Sequence, residues 1–255
     1  MQPAPQESGT PALALHGVGR RFGALRAVGN VTLTVAAGER RAVLGPNGAG
    51  KTTLFNLICG DFPPTSGSVA LYGQDITHLA PHHRARNGVG RTYQTSLLFN
   101  GLSVRDNLVI AVRGAKAGRF SLLLPSRADR AKASELAEVV RLSHLLDTEV
   151  AQLSHGQRRQ LEVGMALACD PRLLMLDEPA AGLSPVERPE LLRLMRALPR
   201  SITLVVIEHD MDIALPIADV VTVMKDGDVV VEGPPAMIEK DPTVQAIYLG
   251  HGRTH

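Results

Sequence analysis

The sequence predicts an α/β fold with a mainly parallel sheet, an N-terminal antiparallel β-part and an inserted helical part. Two observations support this prediction. Short apolar runs at 173–176 and 202–207 alternate with helical patterns, which is typical of parallel strands covered on both faces. From about residue 95 to residue 168, β-branched runs are rare and helical patterns dominate. The 255 residues suffice for one such domain with a sizeable core.

The first part of the chain predicts strands, and then one strand that leads into a helix. Residues 13–18 and 31–35 alternate apolar and polar side chains, as half-buried antiparallel strands do. The run 41–44 is strand-like, and the apolar spacing that follows Thr52 indicates a buried helix extending to about Cys59. Further short strands are predicted at 67–73 and 89–93.

A glycine-rich stretch joins that strand to its helix and matches the phosphate-binding pattern G-x-x-x-x-G-K-[ST]. A helix that opens at such a turn directs backbone N–H groups and positive potential at one point, where phosphate binds. Lys51 is expected to reach the β- and γ-phosphates, and the Thr52 hydroxyl to coordinate Mg²⁺. The sequence therefore predicts nucleoside triphosphate binding. The stretch consists of Gly45, Pro46, Asn47, Gly48, Ala49, Gly50, Lys51 and Thr52.

The second half of the chain predicts mainly helices, followed by a return to alternating strands. The Asp226-Gly227 step between two β-branched runs predicts a hairpin. No internal repeat is visible, so we expect one nucleotide loop per chain. The other expectations are a peripheral loop or short helix at 113–127, helices at 127–144, 189–198 and 212–218, hairpin strands at 220–224 and 229–232, and a helical cap from Pro234.

Composition excludes several classes of function. A formal net charge of +2 without a long basic run gives no support for nucleic-acid binding. Cys59 and Cys169 lie in separate apolar segments, and we interpret both as small buried side chains in a reducing compartment. No run approaches the roughly 18 apolar residues of a membrane span, and residues 1–11 read as a polar, disordered tail without a signal peptide. We therefore expect a cytosolic protein.

Four further features follow the loop, and each is weak alone. Asp177 ends a buried strand and can hold Mg²⁺, while Glu178 beside it can deprotonate an attacking water; a solvated strand end is the alternative. Ser154 precedes a helix as an N-cap, so Ser154, Gly156 and Gln157 read first as capping chemistry. His209 follows a second buried strand, where a structural His is common. Gln94 stands where sheet gives way to helix.

In their order and spacing these features resemble the ATP-binding cassette (ABC) ATPases, over roughly residues 12–250. The resemblance implies a P-loop NTPase core with the helical subdomain at about 95–168 inserted into it, and a single nucleotide-binding domain flanked by tails at 1–11 and 251–255. It also implies that ATP and Mg²⁺ are the cofactors. Glu178 would be the general base, assisted by Lys51 and His209. The metal-binding residues would be Thr52, Gln94 and Asp177.

The same resemblance assigns the residues that contact the nucleotide. Phe22 falls where the family places an aromatic ring against adenine, although an ordinary packed Phe is the alternative. Residues 154–157 would form the signature, which completes the site of a second subunit. The full set is Phe22, Gly45, Pro46, Asn47, Gly48, Ala49, Gly50, Lys51, Thr52, Thr53, Gln94, Ser154, Gly156 and Gln157.

Within this family the chain is most similar to the importer ATPases of the branched-chain amino acid (Liv-type) group. The similarity rests on segments 90–94, 98–99, 102–108, 113–127, 177–183 and 247–250. It implies a dimer with itself or with a paralogous ATPase, two membrane permeases and, indirectly, a periplasmic binding protein. The ATPase would then be cytoplasmic, on the inner face of the membrane. Urea importers, aromatic-acid importers and lipopolysaccharide exporters are the alternatives.

Two departures and several rival functions bear on that interpretation. His155 stands where the signature usually has Gly, and Ser184 stands where many cassettes have Asp, which leaves open how tightly two sites are coupled. Residues 95–107 would dock a helix of the membrane subunit, although 97–99 suit a packed core equally well. A ribosome- or DNA-acting cassette, a non-hydrolysing regulator and a P-loop kinase are less consistent with the motifs present.

Overall fold

A computed structural model of the chain describes residues 9–92, 97–115 and 125–249. Gln94 therefore lies outside the described residues, as do most of the 113–127 segment and nearly all of both predicted tails. The strands are β1 (Leu13–Phe22), β2 (Leu25–Val35), β3 (Arg40–Leu44), β4 (Ser66–Leu71), β5 (Gln74–Asp75), β6 (Val89–Arg91), β7 (Leu173–Asp177), β8 (Thr203–Glu208), β9 (Val220–Lys225) and β10 (Asp228–Gly233).

Helices separate the successive strands of the larger sheet as far as β9, which agrees with the predicted alternation, although α2 was not predicted. Two short 3₁₀ turns, Ser143–Leu145 and Val150–Gln152, join the fourth helix to the fifth. The α-helices are α1 (Lys51–Cys59), α2 (Pro81–Arg86), α3 (Val104–Ala115), α4 (Arg127–Val139), α5 (His155–Leu167), α6 (Arg188–Ala197), α7 (Met211–Ala214), α8 (Pro235–Ile238) and α9 (Pro242–Leu249).

The larger sheet has the strand order β10-β9-β3-β8-β7-β6. All neighbours in it are parallel except β9 and β10, which form the predicted hairpin around Asp226 and Gly227. Both turn residues have positive φ, 51° and 87°, as a two-residue hairpin turn requires. The mainly parallel sheet predicted from alternation is therefore confirmed.

A second, antiparallel sheet has the order β2-β1-β4-β5. Its first two strands are longer than the sequence predicts, because β-bulges interrupt the alternation. The register between β1 and β2 shifts after Leu15 and again after Val18, and Gly17 takes a φ of 60°. An alternation count stops at such a bulge, whereas the hydrogen-bonded ladder continues to the hairpin at Phe22.

The two faces of the larger sheet are covered by different layers. Leu173 and Met175 of β7 face the core shared with α1 and the antiparallel sheet. Leu174 and Leu176, which alternate with them, face the core built by α3, α4, α5 and α6. Cys59 at the end of α1 is buried, and burial raises the pKa of its thiol to about 12. Helices α8 and α9 pack at the β9 side of the sheet.

Two predicted helices are shorter in the structure. The expected helix 127–144 ends as α4 at Val139, because Arg141 takes a φ of 61° and Leu142 N–H bonds back to Ala137 O at 2.7 Å, which closes the helix C-terminus. Leu142 is fully buried, so the apolar spacing in the sequence continues beyond Val139, where the helix ends. The expected helix 212–218 is α7, which ends at Ala214, two residues before Pro216.

Candidate nucleotide-binding and catalytic site

The carboxyl ends of β3, β8 and β7 lie side by side at one edge of the larger sheet. In the parallel registers Leu44 pairs with Glu208, and Asp177 pairs with Ile207. The chain that follows each of these strands therefore emerges at the same place. This edge brings together the glycine-rich loop, the acidic pair after β7 and the histidine after β8, as open α/β sheets do at their ligand sites.

The glycine-rich loop is shaped by contacts with distant segments. Gly50, the N-cap of α1, has a φ of 93°, and a Cβ there would lie 2.4 Å from Ala27 O of β2. Only glycine fits that backbone and that space. Gly227 N–H, in the β9–β10 turn, donates to Ala49 O at 3.1 Å, while Gly29 N–H donates to Gly227 O at 2.8 Å. Strand β2 and the hairpin thus brace the loop.

Helix α1 begins without any internal acceptor for its first amides. Its N-cap Gly50 offers no side-chain hydrogen bond, and the first turn contains no acidic residue. Unpaired N–H groups and the helix dipole therefore leave positive potential at this end. Such a helix start is suited to binding an anion such as phosphate.

Lys51 places its ammonium inside the loop. The side chain is buried, and Nζ donates to Gly45 O at 2.6 Å and to Pro46 O at 3.0 Å. Burial lowers the pKa of Lys51, and the nearby carboxylates of Glu178 and Asp177 oppose that shift. The charge of Lys51 is thus held in the loop and faces the two acids of β7.

A cleft of about 510 Å³ opens over this arrangement, a size typical of small-molecule sites. Thr52 and Thr53 line it from the start of α1, and Glu178 and strand β2 also contribute to its lining. The lining residues are Leu25, Arg26, Ala27, Asn47, Gly48, Ala49, Gly50, Lys51, Thr52, Thr53, Glu178 and Asp226.

Asp177 is the buried acid of the site, with 2% of its surface exposed. Its Oδ1 has no hydrogen-bond partner among the described residues. Burial raises the pKa of Asp177 to about 6, the Glu178 carboxylate adds to the shift, and Lys51 opposes it. An unpaired, buried carboxylate oxygen is a ligand that suits a hard divalent cation such as Mg²⁺. The part of the chain that the structure describes holds no cluster of three His, Cys, Asp or Glu side chains for a metal.

Glu178, which lines the cleft, and His209 face each other. His209 Nδ1 lies 3.4 Å from Glu178 Oε1, and the two side chains are 49% and 28% exposed. Glu178 has a φ of 44°, which is unusual for a residue with a Cβ, and its N–H donates to Ile207 O at 2.9 Å. The backbone thus turns sharply here and leaves the carboxylate accessible to water.

Phe22 lies at the tip of the β1–β2 hairpin and pairs with Leu25, which lines the cleft. Its ring is 42% exposed and meets Phe62 edge-on with 5.4 Å between ring centroids. The Arg20 guanidinium lies 4.6 Å from the Phe22 centroid. An exposed ring beside the cleft is compatible with base stacking, and the adenine contact stays a prediction.

The predicted signature residues lie apart from the cleft. Ser154 caps α5 with a full capping box, in which Ser154 Oγ accepts from Gln157 N–H and Gln157 Oε1 accepts from Ser154 N–H. Ser154, Gly156 and Gln157 line a separate cavity of about 260 Å³. The structure therefore brings together the loop, Asp177, Glu178 and His209, and it leaves the signature on another surface.

Three polar side chains that the sequence analysis missed connect these parts. Arg159 of α5 donates to Glu178 O at 2.6 Å and to Pro179 O at 2.8 Å. Glu208 is 1% exposed and accepts from Ala180 N–H at 3.1 Å, and burial raises its pKa to about 7. Glu187 contacts the start of α5. Each contact joins residues that are far apart in sequence, so local patterns do not predict it. The one local indication was that Glu208 directly precedes His209.

Comparison with known proteins gives a consistent result. The family model described as ABC transporter matches residues 28–181. The high-affinity branched-chain amino acid transport ATP-binding protein BraF of Pseudomonas aeruginosa is 38% identical over 251 residues, covering 94% of this chain and 98% of BraF.

Two solved structures extend the comparison. The ADP conformation of MJ1267, an ATP-binding cassette of an ABC transporter, matches with a TM-score of 0.85 and 30% identity over 94% of this chain and 99% of that one. A dimeric post-hydrolysis state of the cassette MJ0796, bound to ADP and Pi, matches with a TM-score of 0.74 and 25% identity over 88% and 98%.

Proposed function

The chain belongs to the ABC transporter family and is an ABC-type ATPase, and on this premise we propose that it powers uptake of branched-chain amino acids. The observation that carries the proposal is a cleft at the uncapped start of α1 that Lys51 and Glu178 both line, with His209 3.4 Å from Glu178. BraF is named for branched-chain amino acids, which favours this cargo over urea, aromatic acids or lipopolysaccharide.

ATP binding follows from the groups that face the cleft. The loop amides and the start of α1 would bind the phosphates, with Lys51 Nζ at the β- and γ-phosphates. Mg²⁺, held by Thr52, Asp177 and Gln94, would neutralise developing charge on the phosphoryl oxygens. Phe22 would stack on the adenine. These assignments use the open amides of α1 and the unpaired Oδ1 of Asp177.

Hydrolysis requires a base and a group that stabilises charge. Glu178 lines the cleft, where its carboxylate can orient and deprotonate a water that attacks the γ-phosphorus in line. His209, 3.4 Å from Glu178, would contact the γ-phosphate and hold the glutamate in place. Lys51 would stabilise the charge that develops on the transferred phosphoryl group.

Each chain carries half of a complete site. Ser154 and Gly156 lie away from the cleft of their own chain and would meet the γ-phosphate bound to a partner subunit. The dimeric state of the similar cassette MJ0796 supports such a pairing. The partner would be a second copy or a paralogous ATPase, and dimer closure would drive transport.

A surface groove fits the proposed contact with the membrane subunits. Its volume is about 280 Å³, and Leu97, Leu98 and Met165 contribute apolar lining. Leu97 and Phe99 are 56% and 48% exposed, which suits a docking surface, whereas Leu98 packs against the helical core. The docking interpretation of 97–99 therefore applies to Leu97 and Phe99, and the core interpretation applies to Leu98. In the part of the chain that the structure describes, no helix has the length and apolar character to cross a bilayer.

Two permeases would therefore contact this groove from the membrane, with the ATPase on the cytoplasmic face. A periplasmic binding protein would deliver the amino acid to them. Nucleic acid has no place in this assembly. A complex reconstituted in vesicles with its permeases should hydrolyse ATP faster when the binding protein carries leucine, isoleucine or valine than when it carries urea.

Replacing the proposed base tests the mechanism most directly. We expect Glu178→Gln to lower ATP turnover by about 10³-fold, since general base catalysis typically contributes 10² to 10⁴. ATP affinity should stay close to that of the parent, and a dimer should accumulate with Mg²⁺ and ATP in sedimentation velocity. Glu239→Gln, which changes an exposed glutamate outside the cleft, is the matched control. Near-parental turnover of Glu178→Gln would mean that the base is misassigned.

A further inference from the structure

Glu187, which directly precedes α6, binds the start of the signature helix with both carboxylate oxygens engaged. Oε1 accepts from Ser154 Oγ–H at 3.0 Å and from Gly156 N–H at 2.8 Å. Oε2 accepts from Ser184 N–H at 3.1 Å and from Ser184 Oγ–H at 2.8 Å. Hydrogen bonds lower the pKa of Glu187 to about 2, and the largest contribution comes from the Gly156 amide, followed by those of Ser184 and Ser154. The side chain is therefore an anion at physiological pH.

The donors that Glu187 occupies are those that the proposed function assigns to a partner's γ-phosphate. A carboxylate and a phosphoryl group are both anionic acceptors, and both form short, charge-assisted hydrogen bonds with N–H and O–H donors. The Ser154 hydroxyl has a single proton to donate, and that proton is directed at Glu187. Both anions cannot occupy this place together.

The local backbone is adapted to this contact. A Cβ at Gly156 would lie 3.0 Å from Glu187 Oε1 and 3.1 Å from Glu187 Cβ, so a larger residue there would crowd the carboxylate and shift it by a few tenths of an ångström. Ser184 holds the second oxygen, and it belongs to the loop that follows Glu178. His155 Nε2 lies 3.3 Å from Ala181 O in the same loop. Two contacts thus tie the start of α5 to the segment after the proposed base.

We propose that Glu187 is an internal substitute for the γ-phosphate, which occupies the signature until nucleotide on a partner subunit displaces it. This inference rests on the proposed function, because it presumes that Ser154 and Gly156 complete a partner's site. Once displaced, the carboxylate retains its hydrogen bonds to Ser184. Binding of the partner's nucleotide therefore shifts the loop that follows Glu178. Glu187 thereby raises the ATP concentration at which dimers form.

A purely structural role makes the opposite prediction. If Glu187 only holds Ser154 in place, its removal weakens the signature and raises the ATP requirement. Gln at this position keeps an acceptor and the side-chain length but loses the charge, so it preserves the scaffold and weakens the competition. Because Glu187 lies outside the cleft of its own chain, ATP affinity of the monomer is expected to be unaffected in either case.

The test uses Glu178→Gln as the parent, so that hydrolysis does not consume the dimer. Glu187→Gln and Glu187→Ala are added to it, with Glu190→Gln as the matched control. Glu190 lies on the same helix and pairs with Arg141 and Arg193, not with the signature. Sedimentation velocity gives the ATP concentration at half-maximal dimer, with Mg²⁺, for the chain alone or with the paralogous ATPase that purifies with it. Calorimetry gives the ATP affinity of each monomer.

We expect Glu187→Gln to lower the half-maximal ATP concentration by about three- to tenfold, because a larger fraction of signatures is open to the partner's nucleotide. Glu190→Gln should match the parent. An unchanged or higher ATP requirement in Glu187→Gln overturns the inference, whether or not Glu187→Ala still folds. A parent that stays monomeric at saturating Mg²⁺ and ATP instead refutes the proposed dimer, so the two failures are distinguishable.

Discussion

The N-termini of α1 and α5 are both glycine-bearing helix starts to which we assign phosphate contacts, yet they differ in how their amides are satisfied. At α1 the N-cap Gly50 provides no side-chain acceptor and the first turn has no acid. At α5 Ser154 and Gln157 form a capping box, and Glu187 adds a carboxylate. One helix start is open to a ligand, and the other is already satisfied by the chain itself.

This difference separates what one chain does alone from what requires a second. An open helix start with Lys51 beside it can bind nucleotide in the monomer. A satisfied helix start stabilises the fold but offers its donors only after an internal bond is exchanged. Under the proposed mechanism, ATP binds at α1 first, and the partner's α5 engages it second.

The largest effect that sharpens this comparison is expected at α1. Lys51→Ala removes the ammonium from the open site, and we expect the dissociation constant of ATP to rise by about a hundredfold, the scale of losing one preorganised charged donor. Calorimetry with Mg²⁺ measures it, and Lys225→Ala, an exposed lysine on β9, is the control. If Lys51→Ala binds ATP as the parent does, the open helix start is not the nucleotide site.

An intermediate effect is expected where α5 touches the catalytic segment. Arg159 donates to the carbonyls of Glu178 and Pro179, so Arg159→Ala frees the backbone that holds the base at its positive φ. We expect turnover to fall by about tenfold while ATP affinity changes less than twofold, since an ill-placed base costs rate and not binding. Steady-state ATPase and calorimetry separate the two quantities.

Arg158→Ala is the neighbour control for that experiment, because Arg158 donates to Ala151 O and not to the segment after β7. Equal losses in both variants would indicate general damage to α5. A loss of ATP affinity in Arg159→Ala without a change in turnover would contradict the assigned positioning role.

The smallest effect concerns the two glutamates that sequence reasoning missed. Glu187 is held ionised by its donors, whereas burial raises the pKa of Glu208 to about 7. Because the folded chain holds this proton more tightly than the unfolded chain, Glu208 makes stability fall as pH rises from about 4.5 to about 7. Glu208→Gln removes that loss and should raise the melting temperature at pH 8 by a few degrees.

The gain should shrink as pH falls and become small near pH 4.5, where the carboxyl is protonated in the folded chain and half protonated in the unfolded chain. Thermal unfolding without nucleotide across pH 4.5–8 measures it, with Glu239→Gln expected to follow the parent. A variant that is less stable than the parent at pH 8 would show that the ionised carboxylate of Glu208 is needed, through its bond to Ala180 N–H.

The sequence predicted the parts of the molecule that depend on neighbours in the chain. The loop before Lys51, the buried strands that end at Asp177 and Glu208, and the cap at Ser154 all rest on local patterns, and the structure has each of them. The mainly parallel character of the sheet followed from the alternation of strands and helices, whereas the order of the strands was not predicted.

The parts that could not be predicted depend on contacts between distant residues. Nothing near Glu187 indicates that Gly156 lies opposite, and nothing near Arg159 indicates the carbonyl of Glu178. The end of α4 was missed for a related reason, since Leu142 is buried by tertiary packing after the helix has closed at Arg141. The role of Gln94 stays a prediction because that residue lies outside the described residues.

The bracing of the glycine-rich loop has a consequence for its evolution and its engineering. Ala27 O lies against Gly50, and Gly227 is hydrogen-bonded to both Ala49 and Gly29. Strand β2 and the β9–β10 turn therefore fix the curvature of a segment only eight residues long. A peptide spanning 40–60 would contain every residue of the motif but none of the distant residues that fix the loop conformation. Grafting the motif into another protein would therefore transfer the sequence of the loop without the contacts that hold its phosphate-binding conformation.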